Sequence, residues 1–117
     1  MIPITKPQLG KEELKEIEDV LKSGWLVRGE KTSELEKLVS EYTGAKYVLA
    51  VTSCTTALHL ALLALGIGKG DEVIVPAFTW VATANVVEMV GATPVFCDIN
   101  INTYNIDTSL IEGLITD

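Results

Sequence analysis

Val51-Thr-Ser-Cys-Thr-Thr-Ala-Leu-His-Leu-Ala-Leu-Leu-Ala-Leu65 decides the fold, because an apolar run passes through a short hydroxyl-rich turn directly into a segment apolar on every side. A helix of that composition is a buried one, and the run Tyr47 to Val51 ahead of it has the continuous apolar character of a parallel strand covered on both faces. The junction between them is a natural anion site. The first amides of a helix have no intrahelical acceptor and lie at the positive end of its dipole, so a phosphate placed there gains several hydrogen bonds at once. Ser53, Thr55 and Thr56 bring hydroxyls to the same turn.

Downstream of Leu65 the same alternation recurs. Gly66 to Asp71 reads as a turn, Glu72 to Pro76 as a second buried strand, and Thr79 to Val90 as a helix capped by Thr79 and stopped by Gly91. Thr93 to Cys97 is a third strand, Asp98 to Asp107 a polar connection, and Thr108 to Ile115 the start of another helix. Strands alternating with helices predict an α/β fold with a mainly parallel sheet. Upstream, residues 1 to 10 carry Pro3, Pro7 and Gly10 and are expected to form an extended arm. Leu14, Ile17, Val20 and Leu21 then mark an amphipathic helix ending at Ser23-Gly24. A second helix is expected near Ser33, with Ser33 and Glu36 as a capping box, Leu35, Leu38, Val39 and Tyr42 as its buried stripe, and Gly44 as its stop. Between the two helices, Trp25 to Gly29 is too rich in glycine to be helical and too apolar for a solvated loop, so something should cover Trp25 and Leu26.

The totals narrow the function. A chain of 117 residues, 48% of them hydrophobic, suffices for one domain, and no composition shift, low-complexity segment or repeat divides it. Sixteen acids against nine bases give a formal charge of −7, which argues against nucleic acid, since that partner requires clustered Lys and Arg. The chain contains no apolar run of about 18 residues and its start lacks the basic and apolar stretches of a signal peptide, so neither a membrane nor export is expected and the cytoplasm is the default. Cys54 and Cys97 make no disulfide framework and, with the single His59, no convincing metal site; reduced core thiols and a hydrogen-bonded core histidine are expected instead.

Parallel sheets bind ligands beyond the carboxyl ends of their strands, which here deliver Ser53 to Thr56, Phe78 to Trp80, and Asp98. Each has a plain alternative. The threonines are ordinary helix caps, Trp80 is a space-filling aromatic, and Asp98 is a turn residue. A Gly-rich dinucleotide or P-loop motif is not present in the required context, because Gly66-Ile-Gly-Lys-Gly70 precedes a strand instead of opening a helix.

Six segments in order carry a resemblance: Gly24-Trp-Leu-Val-Arg-Gly29, Ser53-Cys-Thr-Thr-Ala-Leu-His-Leu-Ala-Leu62, Gly66-Ile-Gly-Lys-Gly-Asp-Glu-Val-Ile-Val-Pro76, Phe78-Thr-Trp80, Gly91-Ala-Thr-Pro-Val95 and Tyr104-Asn-Ile-Asp107. Together they resemble the DegT/StrS-type nucleotide-sugar aminotransferases, which have the fold type I scaffold and use pyridoxal 5'-phosphate. The resemblance implies transfer of an amino group, usually from glutamate, to a 3-keto or 4-keto sugar attached to a nucleotide, in polysaccharide or amino-sugar biosynthesis. It implies that Thr55 and Thr56, with Ser53 just upstream, hold the cofactor phosphate, and that Trp80 stacks on the pyridine ring. Trp25 to Gly29 is similar to a loop that reaches the active site of the partner subunit in a homodimer.

The resemblance also implies what lies elsewhere. Residues 1–117 correspond to the N-terminal part of the cofactor-binding large domain, with the arm and helices in 1–45 and strand-helix units in 46–117. The family's cofactor-binding lysine, the acid that pairs with the pyridinium nitrogen, the rest of the large domain and the small domain fall beyond this region. None of Lys6, Lys11, Lys15, Lys22, Lys31, Lys37, Lys46 or Lys69 matches that lysine, so no catalytic residue is assigned and this length of chain is expected to be inactive by itself. In the family's sheet, strands from later sequence separate the first strand from the next two, so Tyr47 to Val51 is expected to lack its neighbours and strand edges to be exposed. Two alternatives remain: a dehydratase that keeps the cofactor but replaces the lysine, and a noncatalytic binding or assembly module.

Overall fold

The computed structural model describes residues 2–116, and the chain divides after Ala50 into two compact units. In the first, residues 2 to 10 form the expected arm without regular structure, followed by α1 (Lys11–Ser23) and α2 (Glu30–Thr43). Both helices end where glycine permits a left-handed backbone, at Gly24 (φ 71°) and Gly44 (φ 74°). The start of α1 is fixed by Glu13, whose Oε2 accepts from the Gly10 amide at 2.6 Å. That bond holds the Glu13 carboxyl below its usual range.

The cap of helix α2 lies four residues earlier than its sequence suggests. Gly29 is the N-cap, and the Ser33 hydroxyl donates back to the Gly29 carbonyl instead of capping. Glu36 is thereby freed from the expected capping box. Its Oε1 accepts from the Arg28 guanidinium at 2.7 Å and from the Ala50 amide at 2.8 Å. The second bond bears on another difference: Tyr47 to Val51 is not a strand. An extended segment needs a ladder partner, and here the Ala50 N–H is taken by a carboxylate instead.

The second unit contains α3 (Cys54–Ala64), β1 (Glu72–Pro76), α4 (Ala82–Met89) and β2 (Thr93–Cys97). β1 and β2 pair in parallel, from Glu72 with Thr93 to Pro76 with Cys97, and α4 supplies the crossover that parallel pairing requires. The β-α-β order and fold class follow the sequence reading. Val75, Val87 and Ala92 form the buried centre, with Leu62, Ile67, Val73 and Val90 packed against it, and Cys97 is almost wholly buried. The expected helix over Thr108 to Ile115 is instead two successive 3-10 turns, Thr108–Leu110 and Glu112–Leu114. Asp107 caps the first through the Ser109 amide and hydroxyl, which together hold its carboxyl below the usual range.

Helix α3 departs from expectation in its burial. It is apolar all round, yet no residue of it is buried among the described residues, and Leu58, Leu60 and Leu63 are exposed. Of the two thiols expected in a core only Cys97 is there, because Cys54 occupies the exposed first position of α3.

Candidate functional site

The turn entering α3 is built from local bonds. Ser53, extended at φ −161° and ψ 162°, is the N-cap, and its hydroxyl accepts from the Thr56 amide at 3.1 Å. Ser53 therefore takes the capping role expected of Thr55 or Thr56. The Ala57 amide closes the first helical bond onto the Ser53 carbonyl at 3.1 Å. With Thr56 and Ala57 satisfied, the first-turn donors that remain are the amides of Cys54 and Thr55, which have no acceptor within a helix. Around them lie three hydroxyls: Thr56 Oγ1 is 2.9 Å from Ser53 Oγ and 3.2 Å from Thr52 Oγ1. Two amides at a positive helix end beside rotatable hydroxyls suit a phosphate monoester, which accepts through several oxygens.

Trp80 lies in the connection from β1 to α4. Helix α4 begins at Ala82 and not at Thr79, so Phe78, Thr79 and Trp80 belong to a loop. The Ala77 amide donates to the Cys97 carbonyl at 2.8 Å, Thr79 and Thr83 hydroxyls meet at 3.0 Å, and the Thr83 amide donates to the Trp80 carbonyl at 2.9 Å. Trp80 itself is 79% exposed, so no described residue covers its ring. Phe78 packs against Tyr104, with ring centroids 5.8 Å apart at 47°.

The two helix starts share an edge. The turn after α3 packs on the turn after α4, since Gly68 lies beside the Val90 carbonyl and Gly91 beside Lys69. As α3 and α4 also pack against each other, with their C-terminal turns together, their N-terminal ends lie toward the carboxyl ends of β1 and β2. Asp98 follows β2 at that edge, where its Oδ1 accepts from the Ile99 amide and its carbonyl from the Asp107 amide, as a turn residue does. His59, one turn into α3, is half-buried.

In the first unit, Trp25 folds over the loop it begins. Its indole Nε1 donates to the Arg28 carbonyl at 3.1 Å, and a Cβ on Gly29 would stand 2.5 Å from Trp25 Cδ1. Any larger residue there must push the indole aside. Trp25, Leu26 and Val27 nevertheless remain 62%, 70% and 71% exposed, so the cover expected for them is not among the described residues. A depression of about 740 Å3 beside them is lined by Asp19, Val20, Trp25, Leu26 and Lys31 among others, and includes none of Ser53, Thr55, Thr56 or Trp80. Neither the Glu36 tether nor the Phe78–Tyr104 pair was legible as such, because both join residues with no periodic relation.

Residues 7–117 match the DegT/DnrJ/EryC1/StrS aminotransferase family. Over 98% of its length the chain is 50% identical to the spore coat polysaccharide biosynthesis protein SpsC of Bacillus subtilis, and over 99% it is 43% identical to UDP-4-amino-4-deoxy-L-arabinose–oxoglutarate aminotransferase of Shewanella sediminis. It spans 30% of the length of each. Among solved structures, the pyridoxal-phosphate form of Spr1654 from Streptococcus pneumoniae, a protein proposed to be a sugar aminotransferase, superposes with a TM-score of 0.93 at 45% identity, covering 98% of this chain and 29% of that one.

Proposed function

Because the chain belongs to the DegT/DnrJ/EryC1/StrS aminotransferase family, we propose that the full-length protein moves an amino group from an amino-acid donor, glutamate, to a keto sugar carried on a nucleotide. The proposed setting is cytoplasmic synthesis of amino sugars or surface polysaccharide, and the proposed assembly a homodimer in which Trp25 to Gly29 reaches the partner's active site. No helix among the described residues is long and apolar enough to cross a membrane. The observation that carries the reading is the Ser53-capped start of α3, with the Ser53 and Thr56 hydroxyls beside its first amides, at the edge where Trp80 is exposed.

In this reading residues 51–117 bind and orient the cofactor. The amides of Cys54 and Thr55 and the hydroxyls of Ser53, Thr55 and Thr56 hold the phosphate of pyridoxal 5'-phosphate by charge-assisted hydrogen bonds. Trp80 presents a ring face to the pyridine and screens that side from water. When bound, the cofactor supplies the electron sink for amino transfer. Helix α3 contributes rigidity: Ser53 Oγ and Thr56 N fix the turn before any ligand arrives, so little order remains to be gained on binding.

Reconstitution tests the reading. Full-length protein supplied with pyridoxal 5'-phosphate is expected to gain visible absorbance, and borohydride to trap the cofactor on a lysine. Absorbance without trapping would place the protein with the dehydratases that replace that lysine, and neither signal would remove cofactor chemistry altogether.

A further inference from the structure

The connection between β1 and α4 has a second support that the cofactor reading does not use. Among the described residues Tyr104 is the one non-glycine residue with positive φ, at 58°. A tyrosine gains nothing locally from a left-handed backbone, which costs about 1 kcal/mol or more. Something must hold it there. The segment from Asp98 to Asp107 is a closed finger: Ile99 and Ile106 form an antiparallel bridge, the Asp107 amide donates to the Asp98 carbonyl at 2.9 Å, and the Tyr104 amide donates to the Asn100 carbonyl at 2.8 Å. At its turn, the left-handed backbone aims the Tyr104 ring at Phe78, two residues before Trp80.

Each partner is otherwise exposed, Phe78 by 66% and Tyr104 by 58%, so burial alone does not explain the pair. Its effect is geometric. Ala77 is already tied to β2, and Thr79 and the Trp80 carbonyl to Thr83 of α4, whereas the stretch at Phe78 is held by its ring alone. We propose that the Tyr104–Phe78 contact is a latch in which the finger after β2 sets the loop after β1, making Tyr104 a positioning residue for Trp80. The proposal rests on the cofactor reading only where it concerns Trp80's ligand; the latch is a property of the chain's own side chains.

The test uses full-length protein labelled with 5-fluorotryptophan, in which the Trp80 fluorine resonance is identified by its loss in Trp80→Phe. Tyr104→Leu is expected to shift or broaden that resonance without any ligand, and to weaken retention of pyridoxal 5'-phosphate about 3- to 10-fold, the range of one aromatic pair. Tyr104→Phe keeps the ring and is expected to restore both readouts to those of the parent. Phe78→Leu removes the latch from the other side with no change at the strained backbone, and Tyr104→Gly removes the ring while relieving the positive φ; both are expected to reproduce Tyr104→Leu, and Phe78→Leu combined with Tyr104→Leu to add nothing further. An unmoved Trp80 resonance in folded Tyr104→Gly and Phe78→Leu would overturn the latch, as would a Tyr104→Phe protein as impaired as Tyr104→Leu. Failure of the parent itself to retain cofactor would count against the proposed function, and the ligand-free resonance would still decide the latch.

Discussion

Replacing Cys54 by proline separates the helix from the proposed phosphate site. Cys54 is the first residue of α3, where the missing N–H of proline costs the helix nothing and its fixed φ suits the first turn. The residue before it must be extended, and Ser53 already is, at φ −161° and ψ 162°. The thiol is exposed, so no core contact is lost. What disappears is one of the two remaining first-turn amides. A hydrogen bond to a charged group contributes roughly 1.5–3 kcal/mol, so Cys54→Pro is expected to weaken pyridoxal 5'-phosphate binding roughly 10- to 150-fold, with global stability changed by no more than about 0.5 kcal/mol. Titration followed by cofactor absorbance reads the first quantity and urea unfolding the second. Cys54→Ala, which keeps the amide, controls for the thiol. Equal cofactor affinity in Cys54→Pro and Cys54→Ala, with both as stable as the parent, would refute the assignment of that amide to the phosphate.

Trp80→Ala is expected to weaken cofactor retention about 3- to 10-fold, more than Cys54→Ala does, because an exposed ring face is lost in one and only a thiol in the other; dialysis against buffer compares them. In Gly29→Ala the new Cβ must displace the Trp25 indole, breaking its bond to the Arg28 carbonyl and weakening the N-cap of α2, so unfolding should come about 1–2 kcal/mol earlier and the indole N–H resonance should move; an unmoved resonance would show that the contact is not held in solution. For Asp107 the sign is fixed by its depressed pKa: the cap on Ser109 is fully present above the ordinary aspartate range and is lost as pH falls below about 4 and through the folded value. Carboxyl carbon shifts should show Asp107 titrating below an unstructured aspartate, and Ser109→Ala should raise it.

The sequence made the β-α-β order legible because β1, α4 and β2 carry their own signals: short apolar runs, and Gly91 where a helix must stop. It made the turn into α3 legible for the same local reason, a hydroxyl-rich step into an apolar helix. It misled where a partner decides. Tyr47 to Val51 reads as a strand, but strand structure requires a neighbour to share its hydrogen bonds, and Glu36 takes the Ala50 amide instead. Ser33 and Glu36 spell a capping box, yet Gly29 starts the helix and leaves Glu36 for Arg28. The apolar perimeter of α3 reads as a buried helix, while the described residues leave Leu58, Leu60 and Leu63 exposed. Tyr104 carries no sequence signal of its left-handed backbone, because that conformation is set by the finger around it and not by the residue.

A structure of the full-length protein with pyridoxal 5'-phosphate tests the central claim most directly. The phosphate is expected within hydrogen-bonding distance of the Cys54 and Thr55 amides, with the pyridine ring lying against the indole of Trp80. A phosphate bound away from those two amides, or a ring that does not meet Trp80, would contradict it.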